Sequence, residues 1–138
     1  MVANAFLIYS LDLMIRIADI LGQVTDKASF KDKSQVARRE FQDRYVTYNS
    51  RLVFDSQTAY TLAICFDLLT PTQTLRAGTR LVKLIKKNES KIGTRFAGIL
   101  FVFEALALTS HIQVAYSMLL EKKCLSWLYL VTIRAITI

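Results

Sequence analysis

The 138-residue chain is long enough for one domain with a core and too short for two. Hydrophobic residues make up 53% and charged residues 21%, which excludes an intrinsically disordered chain. The formal net charge of +7 permits an anionic partner such as nucleic acid or a membrane surface. A solvated basic face is the more common origin of such an excess, and we expect no nucleic-acid partner.

The apolar N-terminus lacks the features of a secretory signal, because Asp12 interrupts it and no basic residue precedes that position. We therefore expect no signal peptide and, by default, a cytoplasmic location. The apolar stretches Phe96–Leu108 and Cys124–Ile138 contain Glu104 and Arg134, and neither supplies the roughly 18 uncharged residues of a membrane span. Both are predicted to be buried.

Helical periodicity and capping residues predict an all-α chain of helices joined by short loops. The predicted helices cover Ala3–Leu21, Asp26–Tyr45, a third from a cap at Asp55 or Ser56 to Leu69, a fourth from Pro71 to about Asn88, Ile99–Leu108 and Gln113–Lys122. The first has its apolar stripe at Phe6, Leu13, Ile17 and Ile20, with Gly22 as its C-terminal cap. The segment Lys91–Gly98 is predicted to be a loop.

The sequence Thr70-Pro71-Thr72-Gln73 is the clearest local signal, since it combines a capping threonine, a proline at the first helical position and a glutamine that completes a capping box. The helix that follows carries a basic stripe at Arg76, Arg80, Lys83 and Lys87. Apolar helices thus alternate with amphipathic basic ones, which is typical of the inner and outer layers of a helical hairpin array. The tail from Ser126 onward is rich in Val, Ile, Thr, Trp and Tyr and is predicted to be extended.

Few residues are candidates for chemistry. Glu104 lies in an apolar run and would be a general acid if buried, but a position on the wetter side of its helix is favoured. The single histidine, His111, has no neighbours at ligand spacing and fits a turn or cap better. Cys65 and Cys124 form no CxxC pair. We find no phosphate loop or HExxH motif, and we expect no metal or cofactor.

Several collinear segments resemble the catalytic domain of α-L-rhamnosidases, glycoside hydrolase family seventy-eight. The most specific is Arg51-Leu52-Val53 followed by Asp55-Ser56-Gln57-Thr58-Ala59-Tyr60. The others are Asn4–Phe6 with Tyr9–Met14, Arg16–Ala18 with Leu21-Gly22, Leu81–Ile85, Lys91–Thr94 with Phe96–Gly98, Ala115-Tyr116 with Leu119-Leu120, and Ser126–Tyr129. Each motif is weak alone, and the ordered set is fairly specific.

The resemblance implies a single domain over 1–138 that forms part of an (α/α)6 barrel, with under half of its six helical hairpins. It also implies inverting hydrolysis of terminal α-L-rhamnose by two carboxyl groups. The family's acid lies before the matched segments, and its base follows the stretch that corresponds to Arg134–Ile138. Both catalytic carboxylates are therefore expected outside this chain, which is predicted to be inactive alone.

The chain departs from the family pattern at several glycine, threonine and proline positions. Where the family tends to have Thr-Gly-Phe, this chain has Thr94-Arg95-Phe96, and Gly-Thr-Pro becomes Gly98-Ile99-Leu100. Arg95 thus replaces a residue able to adopt positive φ, and Leu100 adds apolar surface. The pattern fits the hypothesis of a decayed gene copy.

The resemblance leaves no catalytic residue to assign, but it suggests a sugar-lining role for three residues. Gln57 and Thr58 begin a buried helix, and the aromatic face of Trp127 suits the apolar face of a sugar, although core packing is an equal alternative. The alternative function is a non-enzymatic basic helical module that binds an anionic membrane or nucleic acid. Inner helices without neighbours would expose apolar surface, which predicts self-association.

Overall fold

The computed structural model describes residues 1–124 and 126–134, and this part of the chain is helical, as predicted. Its elements are α1 (Val2–Ile20), α2 (Val24–Tyr45), α3 (Gln57–Cys65), α4 (Pro71–Lys87), α5 (Arg95–Gly98), α6 (Val102–Leu108), α7 (Ile112–Leu120) and α8 (Trp127–Thr132). Within the described residues, an antiparallel bridge joins Val46 to Leu52 on either side of the turn at 48–50. No described helix is both long and apolar enough to cross a bilayer.

The helices pair into hairpins arranged in two layers. The inner helices α1 and α6 both contact α3, while α2, α4 and α7 pack on α1, α3 and α6 respectively. The first pair is joined through Gly22, whose φ of 68° allows the Gln23 N–H to reach the carbonyl of Ala18 at 2.8 Å. The predicted glycine cap is confirmed, and so is the alternation of inner and outer helices.

The central helix α3 is buried on almost every side, because it packs against α1, α4, α5 and α6. Ser56 caps it by accepting a hydrogen bond from the Ala59 N–H at 3.2 Å, as one of the two predicted caps. It ends at Cys65 instead of the predicted Leu69, because Asp67 takes up a left-handed conformation with φ of 51°. The Leu68 N–H then bonds to the carbonyl of Ala63 and closes the helix.

Aromatic rings join three elements at the far end of α3. Phe66 stacks on Tyr9 of α1 with ring centroids 4.5 Å apart and meets Phe6 edge-on at 5.2 Å. Phe101, between α5 and α6, also meets Phe66 edge-on at 5.1 Å. Such contacts add stabilisation beyond the area they bury, so this cluster fixes the inner helices against one another.

The predicted extended tail is wrong within the described residues, because Trp127–Thr132 forms α8. The hydroxyl of Ser126 accepts from the Tyr129 N–H, and this cap outweighs the strand preference of the side chains that follow. The predicted loop Lys91–Gly98 likewise contains α5, and the next helix begins at Val102 rather than Ile99. The sequence predictions for Leu125 and for residues 135–138 concern positions outside the described residues.

Burial departs from the sequence pattern in two places. On α1 the buried side chains are Ala5, Ile8 and Ala18, whereas Ile17 and Ile20 of the apolar stripe are 46% and 84% exposed. Phe6 of the same stripe packs on Phe66, so it is the end of the stripe near Gly22 that meets solvent. The apolar stretches predicted to be buried also present exposed residues, which are Phe96, Leu100, Leu108, Val131 and Ile133.

Removing the Thr70 cap should weaken α4. The Thr70 hydroxyl accepts from the Gln73 N–H at 3.4 Å, and the Gln73 side chain accepts from the Thr70 N–H at 2.9 Å, which confirms the predicted capping box. We expect Thr70→Ala to lower the free energy of unfolding by about 1 kcal/mol in urea denaturation followed by circular dichroism. The control Thr72→Ala, exposed on the same turn, should change it by less than about 0.5 kcal/mol. Equal effects would contradict the capping role.

The exposed apolar face of the first hairpin should drive self-association. Ile20 and Val24 are 84% and 77% exposed at its tip, and Leu7 lies exposed on the same pair of helices. We expect oligomers by size-exclusion chromatography with light scattering, and a shift toward monomer in Ile20→Gln/Val24→Gln. The control Leu75→Gln changes an exposed leucine of α4 and should leave the oligomers unchanged. A compact wild-type monomer would refute this expectation.

Candidate functional site

The predicted site residue Gln57 is the first residue of α3, and its side chain is buried. Its Oε1 accepts a hydrogen bond from the Gly93 N–H at 2.9 Å, and its Nε2 donates to the carbonyl of Leu84 at 3.5 Å. Gly93 lies so close that a Cβ there would be 2.7 Å from Cδ of Gln57. The Gln57 side-chain amide therefore holds the segment after α4 against the start of α3.

The predicted site residue Thr58 lies beside Gln57 and is half-buried. Its hydroxyl donates to the carbonyl of Thr94 at 2.6 Å. It also lines a cavity of about 400 Å³ at the start of α1 and α3, together with Met1, Phe54 and Arg95. The polar side chains that line this cavity are the hydroxyls of Ser56 and Thr58 and the guanidinium of Arg95, and none of the lining residues carries a carboxylate. The Ser56 hydroxyl already serves as the cap of α3.

Arg95 adopts a φ of 51°, which confirms the expectation that this position requires the left-handed region. That conformation is costly for a residue with a Cβ, by roughly 1 kcal/mol. It turns the chain at the start of α5 so that Gly98 passes close to the backbone of Thr58, where a Cβ would lie 3.4 Å from Cα. The wall of the cavity thus depends on a strained residue that also supplies its positive charge.

Trp127, the third predicted site residue, is the first residue of α8 and is half-buried. Its ring packs against Phe103 of α6 with centroids 5.7 Å apart and an interplanar angle of 41°. Its indole Nε1 is buried and finds no acceptor among the described residues. The structure brings Gln57 and Thr58 together, whereas Trp127 is absent from the residues that line their cavity.

Four of the carboxylates of the described residues form ion pairs, which are those of Asp12, Asp19, Asp55 and Glu89. Glu104 is exposed on α6, which confirms its expected place on the wetter side. Asp12 pairs with Arg38 at 2.6 Å, and Asp55 forms a two-pronged pair with Arg80. The hydrogen bonds from Arg80 lower the pKa of Asp55 from its ordinary value, which makes it a poor proton donor.

Neither Cys65 nor His111 forms a nucleophilic centre. Burial raises the pKa of Cys65 to about 12, and its thiol donates to the carbonyl of Phe101 at 3.3 Å. The thiolate that would attack a substrate is therefore scarce at neutral pH. His111 sits at the start of α7 with Nδ1 3.2 Å from the hydroxyl of Thr109, in the turn that the sequence predicted. The described residues hold no group of three His, Cys, Asp or Glu side chains able to share a metal ion.

Sequence patterns missed several walls of the cavity. Phe54 and Met1 carry no local signal, since they meet Thr58 only through tertiary packing. The role of the Thr94 carbonyl could not be predicted either, because a backbone carbonyl is present in every residue type. Arg95 was signalled by its place in the Thr-Arg-Phe departure from the family pattern, although as a strained residue rather than a binding one.

The two layers of helical hairpins, with a cavity at the start of the inner helices, define the class of six-hairpin, (α/α)6 glycosidase folds. The family model described as the bacterial alpha-L-rhamnosidase six-hairpin glycosidase domain matches residues 1–138, and the chain belongs to this family.

Curated relatives are similar over nearly the whole chain. The alpha-L-rhamnosidase of Streptomyces avermitilis is 33% identical over 93% of this chain and 12% of its own length. That of Formosa agariphila is 27% identical over 100% of this chain and 15% of its own length. The chain therefore spans less than a sixth of the curated relatives that it matches.

Solved structures give the same result. Native α-L-rhamnosidase from Aspergillus terreus superposes with a TM-score of 0.90 at 32% identity, covering 94% of this chain and 15% of that one. The Streptomyces avermitilis enzyme, complexed with L-rhamnose, superposes with a TM-score of 0.89 at 32% identity, covering 94% of this chain and 12% of that one. The chain is thus a fragment-length match to a rhamnosidase-like glycoside hydrolase.

A methyl group added at Gly93 tests whether the Gln57 side chain holds the segment after α4 against the start of α3. We expect Gly93→Ala to lower the free energy of unfolding by about 1–3 kcal/mol, because the new Cβ overlaps the Gln57 amide. In a Gln57→Ala background the same change meets no amide and should be nearly neutral, as measured by a double-mutant cycle in urea. An equal loss in both backgrounds would show that the contact is unimportant.

Proposed function

We propose that residues 1–138 belong to a single six-hairpin domain of an α-L-rhamnosidase and form one wall of a site for terminal α-L-rhamnose. The observation that carries this proposal is the cavity at Thr58, at the start of the central inner helix of a fold shared with an enzyme whose crystal structure holds L-rhamnose. Its mixture of apolar walls with a few polar groups is typical of small-ligand sites.

In this proposal the predicted residues have different tasks. Thr58 offers its hydroxyl oxygen to a sugar while its proton is held by the Thr94 carbonyl, and Arg95 donates to sugar hydroxyls. Gln57 acts indirectly, because both ends of its amide bind protein groups. Trp127 does not line the Thr58 cavity, so in this proposal the part of its ring that Phe103 leaves uncovered meets the apolar face of a sugar outside that cavity.

The chemistry in this proposal is inverting hydrolysis, which needs an acid and a base about 6.5–9.5 Å apart on opposite sides of the bond. The lining residues of the Thr58 cavity include no carboxylate, and Asp55 and Asp12 are engaged by arginines. We therefore assign the acid and the base to rhamnosidase segments other than those matched here. The role of residues 1–138 is to bind and position the sugar.

The test compares the chain alone with a chimera in which it replaces the matched segment of the Streptomyces avermitilis enzyme. With a chromogenic α-L-rhamnoside, we expect no turnover by the chain alone and turnover by the chimera. In the chimera, Thr58→Val should lower kcat/KM by about tenfold through loss of one buried hydrogen-bonding group. Thr58→Ser restores the hydroxyl and should recover the rate, while Thr25→Val, on the exposed face of α2, is the control.

Clear turnover by the purified chain alone would overturn the assignment of the carboxylates. A chimera that folds but neither binds L-rhamnose nor hydrolyses the rhamnoside would overturn the proposed function.

A further inference from the structure

A second, larger concavity lies between the turn at 48–50 and the outer face of α4, and Tyr60 of α3 also lines it. Its volume is about 910 Å³, and four of its lining residues are cations: Arg51, Arg76, Arg80 and Lys83. This basic groove is distinct from the Thr58 cavity, with which it shares no lining residue. The sequence showed only part of it, as a stripe along the fourth helix.

The packing of α4 on α3 places three of these cations on the exposed face of the helix. Arg76, Arg80 and Lys83 recur at the spacing that places side chains on one face of a helix, and the opposite face of α4 buries Leu81 and Ile85. Arg51 reaches the same groove from the turn, where Thr47 bonds across to its backbone at 3.1 Å. The like charges are thus held together by the fold.

Most of this charge is uncompensated. Arg80 is paired with Asp55, whereas Arg51, Arg76 and Lys83 form no ion pair with any described residue. Asp55 is not among the residues that line the groove, and its two-pronged pair with Arg80 shows the geometry in which a guanidinium group binds a carboxylate. A concave surface with spare guanidinium groups attracts anions more strongly than a flat one.

The lip of the groove carries an aromatic ring. Tyr48 is fully exposed and lies beside Asn49, so a ring face, an amide and several guanidinium groups meet in one concavity. A free aromatic face suits the apolar face of a sugar ring, while amide and guanidinium groups bind hydroxyls and carboxylates. The concave and polar shape is unlike the inserting apolar surface that a membrane requires.

We propose that the basic groove is a second binding site, for a carboxylate-bearing polysaccharide. Uronate carboxylates pair with Arg51, Arg76 and Lys83, and one sugar ring lies on Tyr48. The proposal deepens the proposed function, on which it rests, because it names an acidic glycan as the polymer from which rhamnose is removed. The groove would hold the polymer on the outer layer, away from the cavity at the inner helices.

The test measures binding of polygalacturonate to the full chain by titration calorimetry. We expect Arg76→Gln/Lys83→Gln to weaken binding by about tenfold or more, since each removes a charge-assisted contact. The control Lys31→Gln/Arg39→Gln removes the same charge from the exposed face of α2 and should leave affinity within about twofold. Tyr48→Ala should weaken binding several-fold, and Tyr48→Phe should restore it.

Three further probes separate this partner from other anions. Fully methyl-esterified polygalacturonate, duplex DNA and phosphatidylserine vesicles should all bind more weakly than polygalacturonate at about 0.15 M salt. Equal weakening by the two double variants, or tighter binding of DNA or vesicles, would overturn the proposal. Binding of polygalacturonate needs no hydrolysis. A chimera that binds polygalacturonate but neither binds L-rhamnose nor hydrolyses the rhamnoside would therefore refute only the proposed function. A chimera that hydrolyses the rhamnoside but does not bind polygalacturonate would refute only this site.

Discussion

The structure depends on the burial of one helix. Residues Gln57–Cys65 of α3 are buried almost throughout, so they require apolar partners on every side rather than along one stripe. Helices α1, α4, α5 and α6 supply those partners, and the hairpin pairing of the other elements follows from the need to bring them together. Because the first turn of α3 also positions Thr58, the constraint that builds the core places its hydroxyl at the cavity as well.

Two carboxylates support the proposed binding role rather than a complete catalytic one. Asp12 joins α1 to α2 through Arg38, and Asp55 joins the segment before α3 to α4 through Arg80. A general acid needs a raised pKa near its working pH, whereas the pKa of Asp55 is lowered by its partner. In the proposed function the acid and the base therefore come from other segments of the enzyme, and residues 1–138 contribute the shape of the sugar site.

The sequence correctly predicted helix caps that depend on residues close to one another in the chain. Caps at Gly22, Ser56 and Thr70 were read correctly because each depends on residues within one turn. The end of α3 was missed since Asp67 enters the left-handed region without glycine, and the tail was missed since one capping serine overrides strand propensity. The site followed the same rule: Thr58 was found from its place at a helix start, but the carbonyl that accepts its hydrogen bond, that of Thr94, lies 36 residues away in sequence.

The pairwise packing of the hairpins has a consequence for how the chain opens. Each hairpin packs chiefly on the one beside it, as in a solenoid. The free energy of unfolding is therefore roughly the sum of the stabilities of the hairpins and of the interfaces between them. The middle unit, α3 with α4, has a hairpin packed on each side within the described residues. We therefore expect the amide protons of α3 to exchange last, so the wall that carries Thr58 belongs to the segment that opens latest.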